Sequence, residues 1–169
     1  IKEASVYKPY DSIFYNPVKG GVAMFLAEFL SHVLKEEEAN IQLFDFLSGS
    51  ILFFDSLEKG LGNFHLHFMM GLSYHLGFRP ESVNVNSMFF DLLNGVYSNA
   101  EPAHLHFVKE EVLEHWKGIQ TLSHDNLGDF KLNRIAREKL LKALLEYYRL
   151  HLNDFGKLRS LDVLKTLFS

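Results

Sequence analysis

Apolar residues recur three and four positions apart over most of this chain, a spacing that places them on one side of an α-helix. The first helix is predicted to begin at Asn16-Pro17, because asparagine caps helices well and proline is tolerated at the first helical position. The further helices predicted from the spacing cover residues 40–59, about 62–76, about 108–124 and 131–152, with a short closing helix after Ser160.

The same spacing predicts which side chains face the interior. Tyr148 on the long fifth helix and Leu164 on the closing helix are both expected in the core, so that Leu164→Ala should be destabilising. The other residues expected to face inward are Val22, Phe25, Leu26, Phe29, Val33, Leu34, Leu43, Leu47, Ser50, Phe54, Leu57, Phe64, Phe68, Leu72, Leu141, Leu144, Leu145, Leu161 and Phe168.

Residues 78–107 break the helical pattern. Valines and phenylalanines favour extended structure there, and Asn94-Gly95 is a strong hairpin signal. We expect Phe89–Leu93 and Val96–Ser98 to form an antiparallel pair or a tight turn. The sequence therefore predicts a mainly α fold, a bundle of about six helices with a short irregular or β-hairpin insertion around residues 83–98.

Composition favours one domain with a large aromatic core. The chain has 169 residues, of which 47% are hydrophobic and 16 are phenylalanine. It has no cysteine, which excludes disulfides and thiolate zinc sites and suits a reducing cytoplasm. No apolar run approaches the ~20 residues that span a bilayer, so we expect no membrane partner.

Charge is distributed unevenly along the chain. From Lys131 onward there are nine Lys and Arg residues against four Asp and Glu, a net of +5, whereas the first 130 residues carry a net of −9. A basic end indicates an anionic partner such as nucleic acid. Alternatively, these bases only balance the acidic body in surface pairs that each contribute little. The residues alone leave both interpretations open.

The nine histidines do not form a pattern that predicts a metal site. His65 and His67 lie two positions apart on a predicted helix and therefore point in different directions. Glu28 and His32 share a helical face, but no third ligand accompanies them. We therefore expect no bound metal and no cofactor.

Catalytic motifs are not apparent either. Ser48-Gly49-Ser50 lies within a predicted helix and not in a nucleophile elbow. Lys19-Gly20-Gly21 is near a helix start and could hold an anion on free N–H groups, but so short a pattern is common. We expect no catalytic residue and do not expect an enzyme.

Several segments resemble one family. Glu146–Leu152 and Leu158–Lys165 resemble the closing helices of the RecO family, recombination mediators that bind DNA during repair. Val22–Leu30 is similar to the first helix of the RecO helical domain, and Phe89–Val96 to its central turn. Ile1–Ala4 resembles the last strand of the family's N-terminal OB-fold, the module its members use for single-stranded DNA.

The resemblance implies a domain division and one departure from the family pattern. Residues 1–15 would be a linker or remnant of an upstream OB-fold, and residues 16–169 the RecO-like C-terminal helical domain of a longer protein. Many RecO proteins carry a four-cysteine zinc site in the segment that matches residues 78–107, and this chain lacks those cysteines. Packing is expected to hold that segment instead, through Phe89, Phe90, Leu92 and Val96.

The resemblance implies mediation without catalysis. RecO-like proteins bind single- and double-stranded DNA and work with RecR in the bacterial cytoplasm, at the nucleoid. They anneal strands and load recombinase onto DNA coated by single-strand-binding protein. In some members the helical domain docks the acidic–apolar tail of that protein, and such a tail needs an apolar pocket rimmed by Lys or Arg. From the charge pattern, the candidates for DNA or partner binding are Arg149, Lys157, Arg159 and Lys165.

An alternative of another class is a helical structural or small-ligand-binding module. Its ligand would occupy an apolar pocket between the phenylalanine-rich helices. A co-purified ligand would favour this alternative, whereas salt-dependent DNA binding would favour the RecO family.

Overall fold

Six α-helices and one three-stranded sheet make up the computed structural model, which describes residues 9–34 and 40–167. In chain order the elements are α1 Pro17–Val33, α2 Ile41–Ser56, α3 Leu61–His75, β1 Phe89–Asp91, β2 Val96–Ser98, β3 Phe107–Lys109, α4 Glu110–Thr121, α5 Arg134–His151 and α6 Leu161–Leu167. The predicted fold class is confirmed. Ile1–Ala4 and Phe168, for which we predicted a strand and an inward side chain, lie outside the described residues. Within the described ranges, no helix is both long and apolar enough to cross a membrane.

Asparagine caps set the start of three helices. Asn16 begins α1 and Asn40 begins α2, each accepting backbone N–H bonds on its side-chain oxygen. Asn133 does the same for α5, where its Oδ1 accepts from the N–H of Ala136 at 2.8 Å. The predicted start of this helix at Lys131 was therefore wrong by one turn, because the cap lies two residues later.

Helix α3 occupies the centre of the molecule, where it packs against α1, α2, α4 and α5. The ring of Phe64 stacks on that of Phe54 with centroids 4.2 Å apart, and the hydroxyl of Tyr148 donates to the carbonyl of Met69 at 2.7 Å. Tyr148 and Leu164 are both buried, as predicted. Also buried as predicted are Val22, Phe25, Leu26, Phe29, Val33, Ser50, Phe54, Phe64, Phe68, Leu72, Leu141, Leu144 and Leu145.

The strands form an antiparallel sheet in the order β2-β1-β3. The predicted hairpin is confirmed: Phe90 pairs with Tyr97, and Gly95 closes the turn at a φ of 70°. Strand β3 was not predicted, and it pairs with the other edge of β1 through Val108. The helix expected from Val108 begins instead at Glu110, because the preceding Phe-Val pair extends the sheet.

Packing fixes the sheet to the bundle. Phe90 is buried and stacks on Trp116 with ring centroids 4.8 Å apart, and Leu92 is buried beside it, both as predicted. Phe89 is partly covered on the opposite face of the sheet. The prediction for Val96 was wrong, since its side chain is 41% exposed. Side chains alternate along a strand, so it is the next residue of β2, Tyr97, that faces the core and contacts Phe90.

Candidate binding groove between the last two helices

Helix α5 separates a buried leucine-rich side from an exposed basic side. Lys139, Lys142 and Arg149 are all exposed and lie three and then seven residues apart, so they follow one side of the helix. Arg149 is in the last turn, where a positive charge interacts favourably with the helix dipole. The sequence thus places a row of cations along the solvent face of α5.

Helix α6 depends on the rest of the fold for its position. It has seven residues, too few to be stable alone. Leu164 anchors it in the core, and the carboxylate of Glu28 on α1 accepts the backbone N–H groups of Arg159 and Ser160 at 2.9 and 2.8 Å. The Ser160 hydroxyl also donates to Glu28 and, together with the two backbone bonds, lowers the pKa of that carboxyl to about 2. An ionised Glu28 therefore holds the two residues that precede α6.

A groove of about 300 Å³ runs between α5 and α6. We call it the α5–α6 groove. Its volume is at the lower end of the range for ligand-binding clefts. The apolar lining consists of Leu141, Leu145 and Leu161, and the charged lining of Glu138, Lys142, Arg149 and Lys165. The arrangement is an apolar floor with a mainly basic rim.

The basic side chains of the rim are held only loosely. The guanidinium of Arg149 lies 5.6 Å from the centre of the Phe155 ring. The ammonium of Lys165 is 3.8 Å from the Asp162 carboxylate, a contact between two exposed side chains that contributes little to stability. The one acid, Glu138, pairs at 3.0 Å with an arginine one turn earlier. An incoming anion would therefore displace only weak contacts of Arg149 and Lys165.

The four candidates predicted from sequence are divided by the structure. Arg149 and Lys165 line the α5–α6 groove. Lys157 and Arg159 are exposed in the connection between α5 and α6 and are not among the residues that line it. Lys142 lines the groove and was missed as a candidate, although its seven-residue spacing from Arg149 was a usable signal.

A cavity of about 20 Å³, with room for about one water molecule, lies next to the groove. His65 lines it and is fully buried, and this burial, with Arg137 adding to it, lowers the pKa of His65 to about 3. The pKa of His67 is lowered to about 4 by its own burial and by His124. Both imidazoles are therefore neutral near pH 7.

Two further histidines each lie beside one carboxylate. His104 Nε2 lies 3.1 Å from a carboxylate oxygen of Asp91, and His106 Nδ1 lies 2.8 Å from one of Glu146. In the part of the chain that the structure describes, no group of three or more His, Asp or Glu side chains is arranged to hold a metal ion.

The side chain of Lys19 forms hydrogen bonds inside the fold. Its ammonium is buried and donates to the Ser12 hydroxyl at 2.6 Å and to the Asp55 carbonyl at 2.5 Å. Gly21 faces α6 so closely that a Cβ there would lie 2.1 Å from a methyl carbon of Leu167. The Lys19-Gly20-Gly21 segment thus joins α1 to its neighbours.

Comparison with known proteins identifies the class to which this fold belongs. A family model described as "Recombination protein O C terminal" matches residues 15–162. The chain is 40% identical to the DNA repair protein RecO of Phocaeicola vulgatus over 170 residues and 38% identical to that of Azobacteroides pseudotrichonymphae over 171. These alignments cover 100% and 99% of this chain and 70% of each relative.

The RecO protein of Bacteroides fragilis is similar to the same extent, with 39% identity over 170 residues, 99% of this chain and 70% of the relative. No solved structure matches. The match to this family model places the chain in the class of DNA recombination proteins. The chain belongs to the RecO family of DNA repair proteins.

Proposed function

We propose that this chain is the partner-binding part of a recombination mediator, and that its α5–α6 groove holds the acidic–apolar tail of single-strand-binding protein. One observation carries the proposal: Lys142, Arg149 and Lys165 surround a floor of three leucines. The apolar end of a tail would lie on the leucines, and its carboxylates would accept charge-assisted hydrogen bonds from the rim.

Membership of the RecO family supports the wider role that we propose with it. The protein would bind single- and double-stranded DNA, work with RecR, and promote strand annealing and recombinase loading by binding and not by catalysis. Lys157 and Arg159, exposed beside the groove, are our candidates for contacts with DNA phosphates. We also propose residues 16–169 as the helical domain, with residues 1–15 leading into it, and a place for the protein at the bacterial nucleoid.

The small-ligand alternative gains no support from the interior. Between the phenylalanine-rich helices the rings pack on one another, with centroids 4.2 Å apart for Phe54 and Phe64 and 4.9 Å apart for Phe29 and Tyr148. Ring packing of this kind fills the space that such a ligand would need. Native mass spectrometry of the purified protein would detect a retained ligand and thereby favour the alternative.

The tail-binding proposal is tested by comparing charge reversal of residues that line the groove with charge reversal of residues outside it. The probe is a fluorescent peptide with several aspartates followed by an apolar C-terminal residue. We expect Arg149→Glu with Lys165→Glu to weaken binding by about tenfold or more, because two rim contacts become repulsive. The matched control is Lys157→Glu with Arg159→Glu, which makes the same change in net charge outside the groove and should alter the affinity less than about twofold. Equal losses in both double variants would contradict a groove and indicate general attraction to a basic end.

A further inference from the structure

A second groove lies between α5 and β3, next to the exposed face of α5 and across it from the α5–α6 groove. It has a volume of about 360 Å³, and we call it the β3–α5 groove. Its apolar lining is formed by Leu92, Phe107, Val108, Val112 and Ala143, and its charged lining by Lys109, Lys139, Lys142, Glu110 and Glu146. Lys142 also lines the α5–α6 groove, so the two grooves meet at this residue.

The two grooves together form a basic surface on an acidic chain. Their linings contain five lysines and arginines against three glutamates, whereas the whole chain has a formal net charge of −4. The row from Lys139 through Lys142 to Arg149 extends for about 15 Å at 1.5 Å per helical residue. A negatively charged extended chain would therefore meet a lining of net positive charge along this surface.

The lysines of the β3–α5 groove are available for a new partner. Lys139 Nζ is 3.6 Å from a carboxylate oxygen of Glu111, and Lys109 Nζ is 3.6 Å from one of Glu101. All four side chains are about half exposed, and such long surface pairs contribute little to stability. Exchanging them for the carboxylates of a bound peptide would therefore cost the fold little.

We propose that the acidic stretch preceding the apolar end of the tail crosses α5 at Lys142 and lies in the β3–α5 groove. This inference rests on the proposed function of the α5–α6 groove and extends it. The apolar end would occupy the α5–α6 groove, while Lys139 and Lys109 would contact carboxylates of the residues before it. The ligand is then an extended acidic peptide and not only its last residues.

Two peptides separate this proposal from the one it rests on. Both end in the same apolar residues; one has six aspartates before them and the other has six serines. In the unchanged protein the aspartate peptide should bind more tightly. The advantage is the difference in log affinity between the two peptides. Lys139→Glu should reduce this difference by at least half, and Lys139→Gln should reduce it by less. Neither change should alter the affinity for the serine peptide. The matched control is Lys131→Glu, an exposed lysine that is not among the residues lining either groove, and it should retain the advantage.

The possible outcomes distinguish the two proposals. Suppose that both peptides bind, but that the difference in their affinities is unchanged in Lys139→Glu or falls by the same amount in Lys131→Glu. The assignment of the β3–α5 groove is then overturned, and the proposed function stands. If neither peptide binds the unchanged protein, both proposals fail. If Lys139→Glu weakens binding of an oligothymidylate but of neither peptide, the groove belongs to DNA and the peptide assignment is overturned.

Discussion

Single carboxylates hold distant parts of this chain together. Glu28 holds the two residues before a helix that begins more than 130 residues later. Asp55 accepts the backbone N–H groups of Asp11, Ser12 and Ile13 at 2.7 to 2.9 Å, and so fixes the segment before α1 to the end of α2. Each carboxylate accepts several backbone N–H bonds, and these bonds favour its charged form in the folded protein.

These two carboxylates should make the protein less stable in acid. Bonds from Ser160 and the adjacent backbone lower the pKa of Glu28 from 4.5 to about 2. For Asp55, burial acts to raise the pKa, but the bonds from residues 11–13 outweigh it and lower the value from 3.8 to about 2. The ionised forms are favoured by folding, so their stabilisation is complete above about pH 5 and is lost as the pH falls from there towards 2.

Urea unfolding at several pH values checks this expectation, followed by the fluorescence of Trp116, the single and fully buried tryptophan. The free energy of unfolding should fall between pH 5 and pH 3, and Glu28→Gln should make that fall shallower. An identical pH dependence in the variant would show that Glu28 does not contribute to the pH dependence of the free energy of unfolding.

A second residue-scale prediction concerns backbone strain at Asp154. Its φ of 62° lies in the left-handed region, which glycine adopts without steric cost. We expect Asp154→Gly to raise the free energy of unfolding by up to about 1 kcal/mol. Asn153→Gly, one residue earlier and without a positive φ, is the matched control and should lower the stability. Destabilisation by both changes in urea melts would show that the strain is not relieved.

Elements with regular spacing were predictable, and those fixed by distant contacts were not. Helix α3 was predicted from apolar residues at four-residue intervals, because this spacing can be recognised in the local sequence. Strand β3 was missed because it is three residues long and is defined by pairing with β1. The α5–α6 groove was predictable in part: the basic end indicated Arg149 and Lys165, but only the folded position of α6 separates them from Lys157 and Arg159.

At the scale of the element, α6 should be an integral part of the fold. Leu164 is 2% exposed, and we expect Leu164→Ala to cost about 2–5 kcal/mol through lost burial and the cavity left behind. Val163→Ala, on the exposed side of the same helix, should cost less than about 1 kcal/mol. Urea melts give both values. A change below about 0.5 kcal/mol for Leu164→Ala would indicate that α6 is detached from the cooperative unit.

Across the whole molecule, a strongly acidic body ends in a basic region. Residues 131–169 carry +5, against −9 for the remainder, so the long-range field favours anions at one end and repels them elsewhere. Both grooves take basic residues from this end of the chain, because α5 lies between them. On the proposed function, anionic partners would bind at this surface, and its grooves would provide the apolar contacts.

DNA binding by this end should depend on salt. If Lys157 and Arg159 contact phosphates of single-stranded DNA, each contact that is lost should lower the slope of log affinity against log salt by about 0.7. Lys157→Gln with Arg159→Gln should therefore reduce the slope by about 1.4 in titrations with an oligothymidylate. An unchanged slope would leave these two residues without a role in DNA binding.

The most direct test of the central claim is to locate the bound tail by NMR of leucine methyl groups. The chain would be titrated with the aspartate peptide, and the shifts of Leu141, Leu145 and Leu161 compared with those of the leucines in α2. Our account predicts saturable shifts at the three leucines that line the α5–α6 groove and none in α2. In Arg149→Glu with Lys165→Glu, the same shifts should need about tenfold or more peptide. Saturable shifts elsewhere with these three methyl groups unmoved would contradict it.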